Sequence, residues 1–243
     1  MGTIKVSGDE WDLMKNQNFR LGAAIVVGLV SAAAARQACA EDGLSGQIGV
    51  ASEYIGKGLG KSDGEPAVSG SVEYSRSGFY ANLFASTAKL SQGSDAEIVT
   101  SVGYRTEAAG IGLDFSVNNR DLPGTRKGVD ANYTEYQVDA SRKFGAVSTR
   151  FRVNYTPDGF SGTQEAWWVE LQGAVALDGK TRASVAVADR SADGGAEYVA
   201  WNLGVKRKLN DAFALDARWY DTDGHDYGES YEGRFVAALT YAF

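Results

Sequence analysis

The sequence predicts an all-β protein, and more narrowly a transmembrane antiparallel up-and-down β-barrel of about 12 strands. Two observations predict this fold: apolar and polar residues alternate with a period of two along many short stretches, and short connections alternate with long ones. The composition agrees, because 30 glycines, 12 tyrosines, 10 phenylalanines and only three prolines are typical of many short strands joined by tight turns.

The alternation is clearest in residues 111–118 and 147–155, where apolar side chains occupy every second position. A period of two gives a strand one apolar and one polar face. Because a barrel strand crosses a bilayer in about 10 residues, no long apolar run is needed. Marking every such stretch predicts strands at 46–57, 67–76, 79–89, 96–106, 110–118, 133–143, 146–156, 165–177, 181–190, 196–207, 213–221 and 231–243.

The connections after every second predicted strand are short. The others are mostly longer and richer in Gly, Asp and Ser, and residues 119–132 form the longest of them. Outer-membrane barrels have this asymmetry, with tight periplasmic turns and longer external loops. The short connections are 77–78, 107–109, 144–145, 178–180 and 209–211.

The chain ends on an apolar strand that alternates up to Tyr241 and Phe243. An even strand count returns this end to the periplasmic side. An apolar last strand with a terminal phenylalanine resembles the signal by which the barrel-assembly machinery recognises its clients. We therefore predict that Tyr241 and Phe243 form an assembly signal.

The N-terminal 40 residues are predicted to be an extension followed by a cleaved signal peptide, and residues 41–243 to be the barrel. A short basic stretch precedes the apolar run 21–35, and Ala38 and Ala40 then offer small residues to a signal peptidase, which places cleavage before Glu41. A membrane anchor is the first alternative, but about 15 apolar residues are short for a span. Acylation of Cys39 is the second, although Arg36 stands where a lipobox prefers leucine.

Cleavage would remove Cys39, the only cysteine, and with it thiolate catalysis and cysteine metal sites. Residues 41–243 carry 20 basic and 28 acidic residues, a balance that disfavours nucleic acid as a partner. The expected partners are outer-membrane lipid and lipopolysaccharide, the barrel-assembly machinery and small hydrophilic solutes.

Residues 52–63 read Ser-Glu-Tyr-Ile-Gly-Lys-Gly-Leu-Gly-Lys-Ser-Asp, with Pro66 and Gly70 following. This stretch resembles the opening signature of the TorF-type porin family, also known as conserved hypothetical Gcw_chp proteins, and the likeness extends over residues 45–243. Lys57 stands where the family usually has arginine, and Glu53 where it usually has aspartate. The resemblance implies an outer-membrane barrel with a channel role and undefined substrates.

Aromatic residues gather near strand ends on the register assigned to lipid, as expected of interfacial girdles. They are Tyr54, Tyr74, Phe79, Tyr104, Tyr155, Trp167, Trp219, Tyr241 and Phe243.

The opposite register is rich in charge, and unpaired buried charges are costly, so the interior must be wet or internally paired. The residues expected to line a pore are Glu53, Lys57, Arg105, Asp114, Glu135, Arg150, Arg152, Glu170, Arg182, Asp216 and Arg218, and the same register includes Glu73, Glu97, Asp139, Arg190, Lys206 and Arg234.

No catalytic, cofactor or metal site is predicted. His225, the only histidine, has no nearby serine in a triad-like arrangement. The acidic loop 221–229 does not match the spacing of a calcium loop, so a solvated surface loop is favoured.

The sequence thus predicts an outer-membrane porin for passive diffusion of small hydrophilic solutes or ions, and not an enzyme. The alternative is a non-conducting structural or adhesive barrel that acts through its external loops. A 12-stranded barrel lies between filled eight-stranded and aqueous sixteen-stranded ones, so a narrow pore and a plugged lumen both stay open. The predicted interior has eight acids and nine bases, so this register alone predicts no ion selectivity.

Overall fold

The computed structural model describes residues 42–243. The predicted cleavage residues Ala38, Ala40 and Glu41 lie outside this range. Twelve long antiparallel strands form a closed barrel in which each strand pairs with its neighbours in sequence, and two very short strands form a separate hairpin. The strands are β1 (Gly43–Ala51), β2 (Ile55–Gly56), β3 (Leu59–Gly60), β4 (Ala67–Arg76), β5 (Phe79–Thr87), β6 (Ala96–Ala108), β7 (Ile111–Asp121), β8 (Asn132–Phe144), β9 (Val147–Gly159), β10 (Gln164–Ala176), β11 (Thr181–Ala192), β12 (Tyr198–Lys208), β13 (Phe213–Thr222) and β14 (Arg234–Ala242).

The barrel closes between its first and last strands. β1 pairs with β14 from Gln47 opposite Ala242 to Ala51 opposite Ala238, and with β4 on its other side. Closure leaves none of the twelve wall strands with an unpaired edge. The predicted 12-stranded antiparallel barrel is confirmed.

The outer face is apolar, because the period-two pattern points every second side chain away from the axis. Two aromatic groups lie near opposite ends of it. Phe79 packs on Tyr104 with ring centroids 4.6 Å apart near the short turns, and Tyr155 packs on Trp167 at 4.5 Å near the loops. Exposed aliphatic side chains on this face include Ile48, Val72, Leu83, Val102, Val117, Val138, Leu171, Val185, Leu203 and Leu215.

The two ends of the barrel differ as the sequence predicts. Turns of two to four residues join the strands at one end, at 77–78, 109–110, 145–146, 177–180 and 209–212. The other end has longer connections, with one exception at 160–163, because β9 and β10 extend further than predicted. No helix within residues 42–243 is long and apolar enough to cross a membrane.

The first strand differs most from its prediction. The sequence predicts a strand over 46–57, but β1 ends at Ala51, and the Ser52 amide makes one more hydrogen bond to β14, at 2.9 Å from the carbonyl of Ala237. The chain then turns into the barrel, where Ile55 is fully buried. We call residues 52–66 the inward segment. The expectation that Tyr54 faces lipid is therefore wrong: its ring is buried in a cluster with Phe84 and Val99.

Candidate functional site

The inward segment contains a hairpin that points into the barrel. Lys57 and Gly58 join β2 to β3 with φ angles of 51° and 78°, and two consecutive positive φ values define the tight turn that suits a two-residue hairpin. Gly58 lies against the wall, since a Cβ added there would lie 2.6 Å from the Cβ of Ala200. Tyr198 donates its hydroxyl to the Lys57 carbonyl at 2.7 Å, so β12 holds the tip of the hairpin.

Apolar side chains fix the hairpin to the wall. Ile55 is fully buried in a cluster with Tyr220 and Val236, and Leu59 packs against a second cluster that contains Trp168. Burying a side chain such as Ile55 contributes about 2 kcal/mol. These contacts place the hairpin inside the barrel and not above it.

The opposite side of the hairpin reaches two buried glutamates. Lys61 Nζ contacts Glu97 Oε2 at 2.7 Å, and Lys57 Nζ pairs with Glu135. Arg120 bridges both acids, with Nη1 2.6 Å from Glu97 and Nη2 3.2 Å from Glu135. Buried carboxylates remain ionised only when they are paired in this way. The inward segment therefore touches strands on opposite sides of the barrel.

Further donors complete the coordination of these acids. The Tyr54 hydroxyl donates to Glu97 at 2.9 Å, and Asn154 Nδ2 donates to Glu135 at 2.6 Å. At the base of the hairpin, Arg234 pairs with Glu53 at 2.6 Å. Gly60 leaves room for that pair, because an added Cβ would lie 2.0 Å from Arg234.

A second charged group lies on β8, β9 and β10. Arg152 binds Asp139 through Nε and Nη2, both at 2.6 Å. Arg150 pairs with Glu170 at 2.5 Å, and Arg152 lies 4.0 Å from the other oxygen of the same acid. Each buried acid in this group therefore has a basic partner, as burial of a charge requires.

A third group lies on β4, β5, β6 and β7. Arg105 binds Glu73 at 2.6 Å and 2.9 Å and Asp114 at 3.0 Å. The guanidinium also lies over the ring of Tyr80, 3.8 Å from its centroid, and Tyr80 donates to Asp114 at 2.8 Å. These four side chains form one hydrogen-bonded unit on the wall.

The inner faces of β11, β12 and β13 carry a basic patch. Arg218 bonds to Asn202 at 2.6 Å and to Asp216 at 3.2 Å. Arg182 lies directly opposite Lys206 in the β11–β12 register. Within residues 42–243, neither the Arg182 nor the Lys206 side chain has a hydrogen-bond or ion-pair partner.

A family model described as a bacterial protein of unknown function (Gcw_chp) matches residues 35–241. The chain belongs to the Gcw_chp family. A search of curated proteins found no match. Among solved structures, the KdgM porin aligns with a TM-score of 0.56 at 8% identity, over 82% of this chain and 99% of that one. An outer-membrane channel from Pseudomonas putida F1 aligns with a TM-score of 0.50 at 10% identity, over 86% and 98%. These likenesses concern the fold.

Every charged residue that the sequence assigned to the interior of this Gcw_chp protein lies inside the barrel, although Glu53 and Lys57 reach it from the inward segment and not from the wall. Their role in lining a pore stays a prediction. Two interior bases were missed. Arg120 continues the alternation of 114, 116 and 118 one step beyond the predicted strand end, so the sequence pattern could have identified it. No sequence pattern places Lys61 in the interior.

The acidic loop of the Gcw_chp barrel holds a single surface pair. His225 Nε2 lies 2.8 Å from Asp221 Oδ1, and this hydrogen bond to the carboxylate raises the pKa of His225. No group of three or more His, Cys, Asp or Glu within residues 42–243 is placed to hold a metal ion.

Proposed function

We propose that the protein is an outer-membrane channel for passive diffusion of small hydrophilic solutes or ions. One observation carries the proposal: the Arg105, Glu73 and Asp114 side chains lie on the inner face yet stay 26%, 20% and 24% exposed. Water therefore reaches the interior, and a wetted lumen is what passive diffusion requires. The resemblance to the TorF-type porins and the porin and channel names among similar folds support the same function.

The apolar outer face supports a location in the outer membrane, with lipid and lipopolysaccharide around the barrel. Export would be directed by the signal peptide, with cleavage before Glu41. A role of Phe243 in assembly is supported by its position. Its ring covers Gly46, where an added Cβ would lie 2.5 Å from the ring. The terminal ring thereby packs across the β1–β14 closure.

A non-conducting structural barrel is the second candidate, and the inward segment favours it. This segment contacts strands on opposite sides and shares the buried acids Glu97 and Glu135 with Arg120. If the hairpin fills the lumen completely, solutes cannot pass.

Single-channel recording in planar bilayers tests the proposal and separates the two candidates. The variant replaces residues 52–66 with Asn-Gly, because Ala51 and Ala67 already pair across β1 and β4 and a two-residue turn can join paired strand ends. The matched control shortens the exposed loop 124–129 at the same end of the barrel. Heat-modifiable migration on gels verifies folding of each protein.

A narrow channel predicts conductance of the wild type that rises only in the variant lacking the inward segment. A silent wild type with a conducting variant would support the plugged barrel. Silence of all three folded proteins would contradict the channel function.

A further inference from the structure

We infer that the channel prefers anions, because the charged surface that water meets inside the barrel is basic. This inference rests on the proposed channel function and names its substrate class, which is small anions. Two arrangements carry it: the acids around the inward segment lie beneath their basic partners, and on β11 to β13 the three bases Arg182, Lys206 and Arg218 share the single acid Asp216.

The ion pairs of the inward segment are unequally exposed. Glu97 and Glu135 have 0% exposed side-chain surface, whereas Lys57, Lys61 and Arg120 keep 27%, 18% and 19%. The carboxylates are thus covered by the groups that neutralise them. An ion passing the hairpin meets ammonium and guanidinium groups, and its attraction to the acids is offset by the nearer bases.

The same layering occurs at Glu170, which is fully buried beside the partly exposed Arg150. Three groups do not follow it: Arg105 shares its exposure with Glu73 and Asp114, Asp139 is as exposed as Arg152, and Asp216 is more exposed than Arg218. In these groups both the acids and the bases are exposed to the lumen, so they do not reverse the anion preference that the other groups produce.

Arg182 and Lys206 are the least compensated of the interior charges. They face each other across β11 and β12, and like charges in directly opposed positions are destabilising. Asp216 lies opposite Lys206 on β13 but bonds to Arg218 at 3.2 Å. This one carboxylate offsets only part of the charge of three bases, so the remaining positive charge attracts anions. A guanidinium beside an ammonium suits carboxylate and phosphate as well as chloride.

The balance of the whole inner face agrees. Its buried and half-buried charged side chains comprise eleven bases and eight acids, although the described chain as a whole is acidic. Ions inside a low-dielectric wall respond to the local charge, because distant surface charges are screened within about 10 Å. The excess acid lies in loops and turns, where it does not set selectivity in the lumen.

The test measures the zero-current potential of the full mature protein in planar bilayers across a KCl gradient. The wild type is expected to pass chloride over potassium by about tenfold, because one net positive charge about 6 Å from the ion path in water enriches chloride about threefold and depletes potassium about threefold. Arg182→Gln with Lys206→Gln removes two positive charges and should lower that ratio by at least about threefold. Neither substitution breaks an ion pair, so folding should be retained.

Arg207→Gln is the matched control, because Arg207 neighbours Lys206 on β12 but belongs to the outer face and pairs with Asp178. It should leave the ratio unchanged, as should the charge-conserving Arg182→Lys. Conductance with equal or cation-favouring permeability overturns this inference and leaves the channel function standing. An unchanged ratio in the folded double variant overturns the role of Arg182 and Lys206. Absence of conductance in every folded protein overturns the channel function and the inference with it.

Discussion

Around the inward segment each buried acid has two or more donors, whereas near the short turns Arg182 and Lys206 face each other without an acid between them. Both regions use the same side-chain chemistry on the same kind of wall. Glu97 and Glu135 bind the hairpin to the wall, and their negative charge is neutralised by the bases that they contact. Arg182 and Lys206 have no hydrogen bond or ion pair of their own within the described chain, and the one acid opposite Lys206 bonds to Arg218, so much of their charge remains available to solutes.

The difference shows that a charged interior residue can have a structural or a solute-facing part, and that pairing distinguishes the two. Removing a paired, buried charge leaves its partner uncompensated, which is costly. Removing an unpaired, partly exposed charge leaves no partner uncompensated. Substitutions around the inward segment should therefore have the larger effect on stability. Substitutions of Arg182 and Lys206 should have the larger effect on ion selectivity.

The largest effect is expected at Glu135. Glu135→Ala leaves Lys57, Arg120 and Asn154 without their shared acceptor and should lower the free energy of unfolding by about 3–5 kcal/mol. Urea unfolding in detergent, followed by tryptophan fluorescence, measures it. Glu107→Ala, at an exposed position near the end of β6, is the control. Equal midpoints for the two variants would break the distinction between the regions.

A smaller contrast is expected between Arg152 and Lys206. Arg152→Ala removes both hydrogen bonds to Asp139 and should cost about 2–3 kcal/mol, whereas Lys206→Ala should change stability by less than about 0.5 kcal/mol. Unfolding of the two variants in the same detergent compares them directly. A cost at Lys206 as large as that at Arg152 would show that Lys206 has a structural partner.

Gly58 tests how tightly the hairpin packs. Gly58→Ala places a Cβ 2.6 Å from that of Ala200 on a backbone with φ of 78°, which should cost about 1–3 kcal/mol. Adding Ala200→Gly removes the clash but not the backbone strain, so it should restore only part of the stability. Thermal unfolding of both variants checks this order, and full rescue would mean that strain at φ contributes nothing.

The smallest effect is expected at the surface pair outside both regions. Asp221 accepts a hydrogen bond from His225 and raises its pKa above the usual value, so the protonated imidazole is favoured by the folded loop. Asp221→Asn should lower the pKa of His225 toward that of an exposed histidine. An NMR titration of the single imidazole measures the shift, with Asp226→Asn as the control. An unaltered pKa in Asp221→Asn would contradict the hydrogen bond.

The strands and turns were accessible to sequence analysis because each depends on neighbours close in the chain. Alternation places Glu135 and Arg152 on the inner face without knowledge of any partner. The inward segment was not accessible. Residues 52–57 alternate like a strand, and their departure from the wall depends on Tyr198, Glu135 and Val236, which lie far along the chain. Which interior bases are paired depends likewise on long-range geometry.

The distances along the chain between the hairpin and its partners have a consequence for the order of assembly. Lys57 is joined to Glu135 and Tyr198 across 78 and 141 residues, and Glu53 to Arg234 across 181. Contacts of such long range form only after the entropy of closing the intervening loops has been lost. We therefore expect the hairpin, although it precedes most of the wall in sequence, to dock among the last elements, after β12, β13 and β14 have taken their places. On that order, docking of the hairpin would complete the interior once the wall has closed.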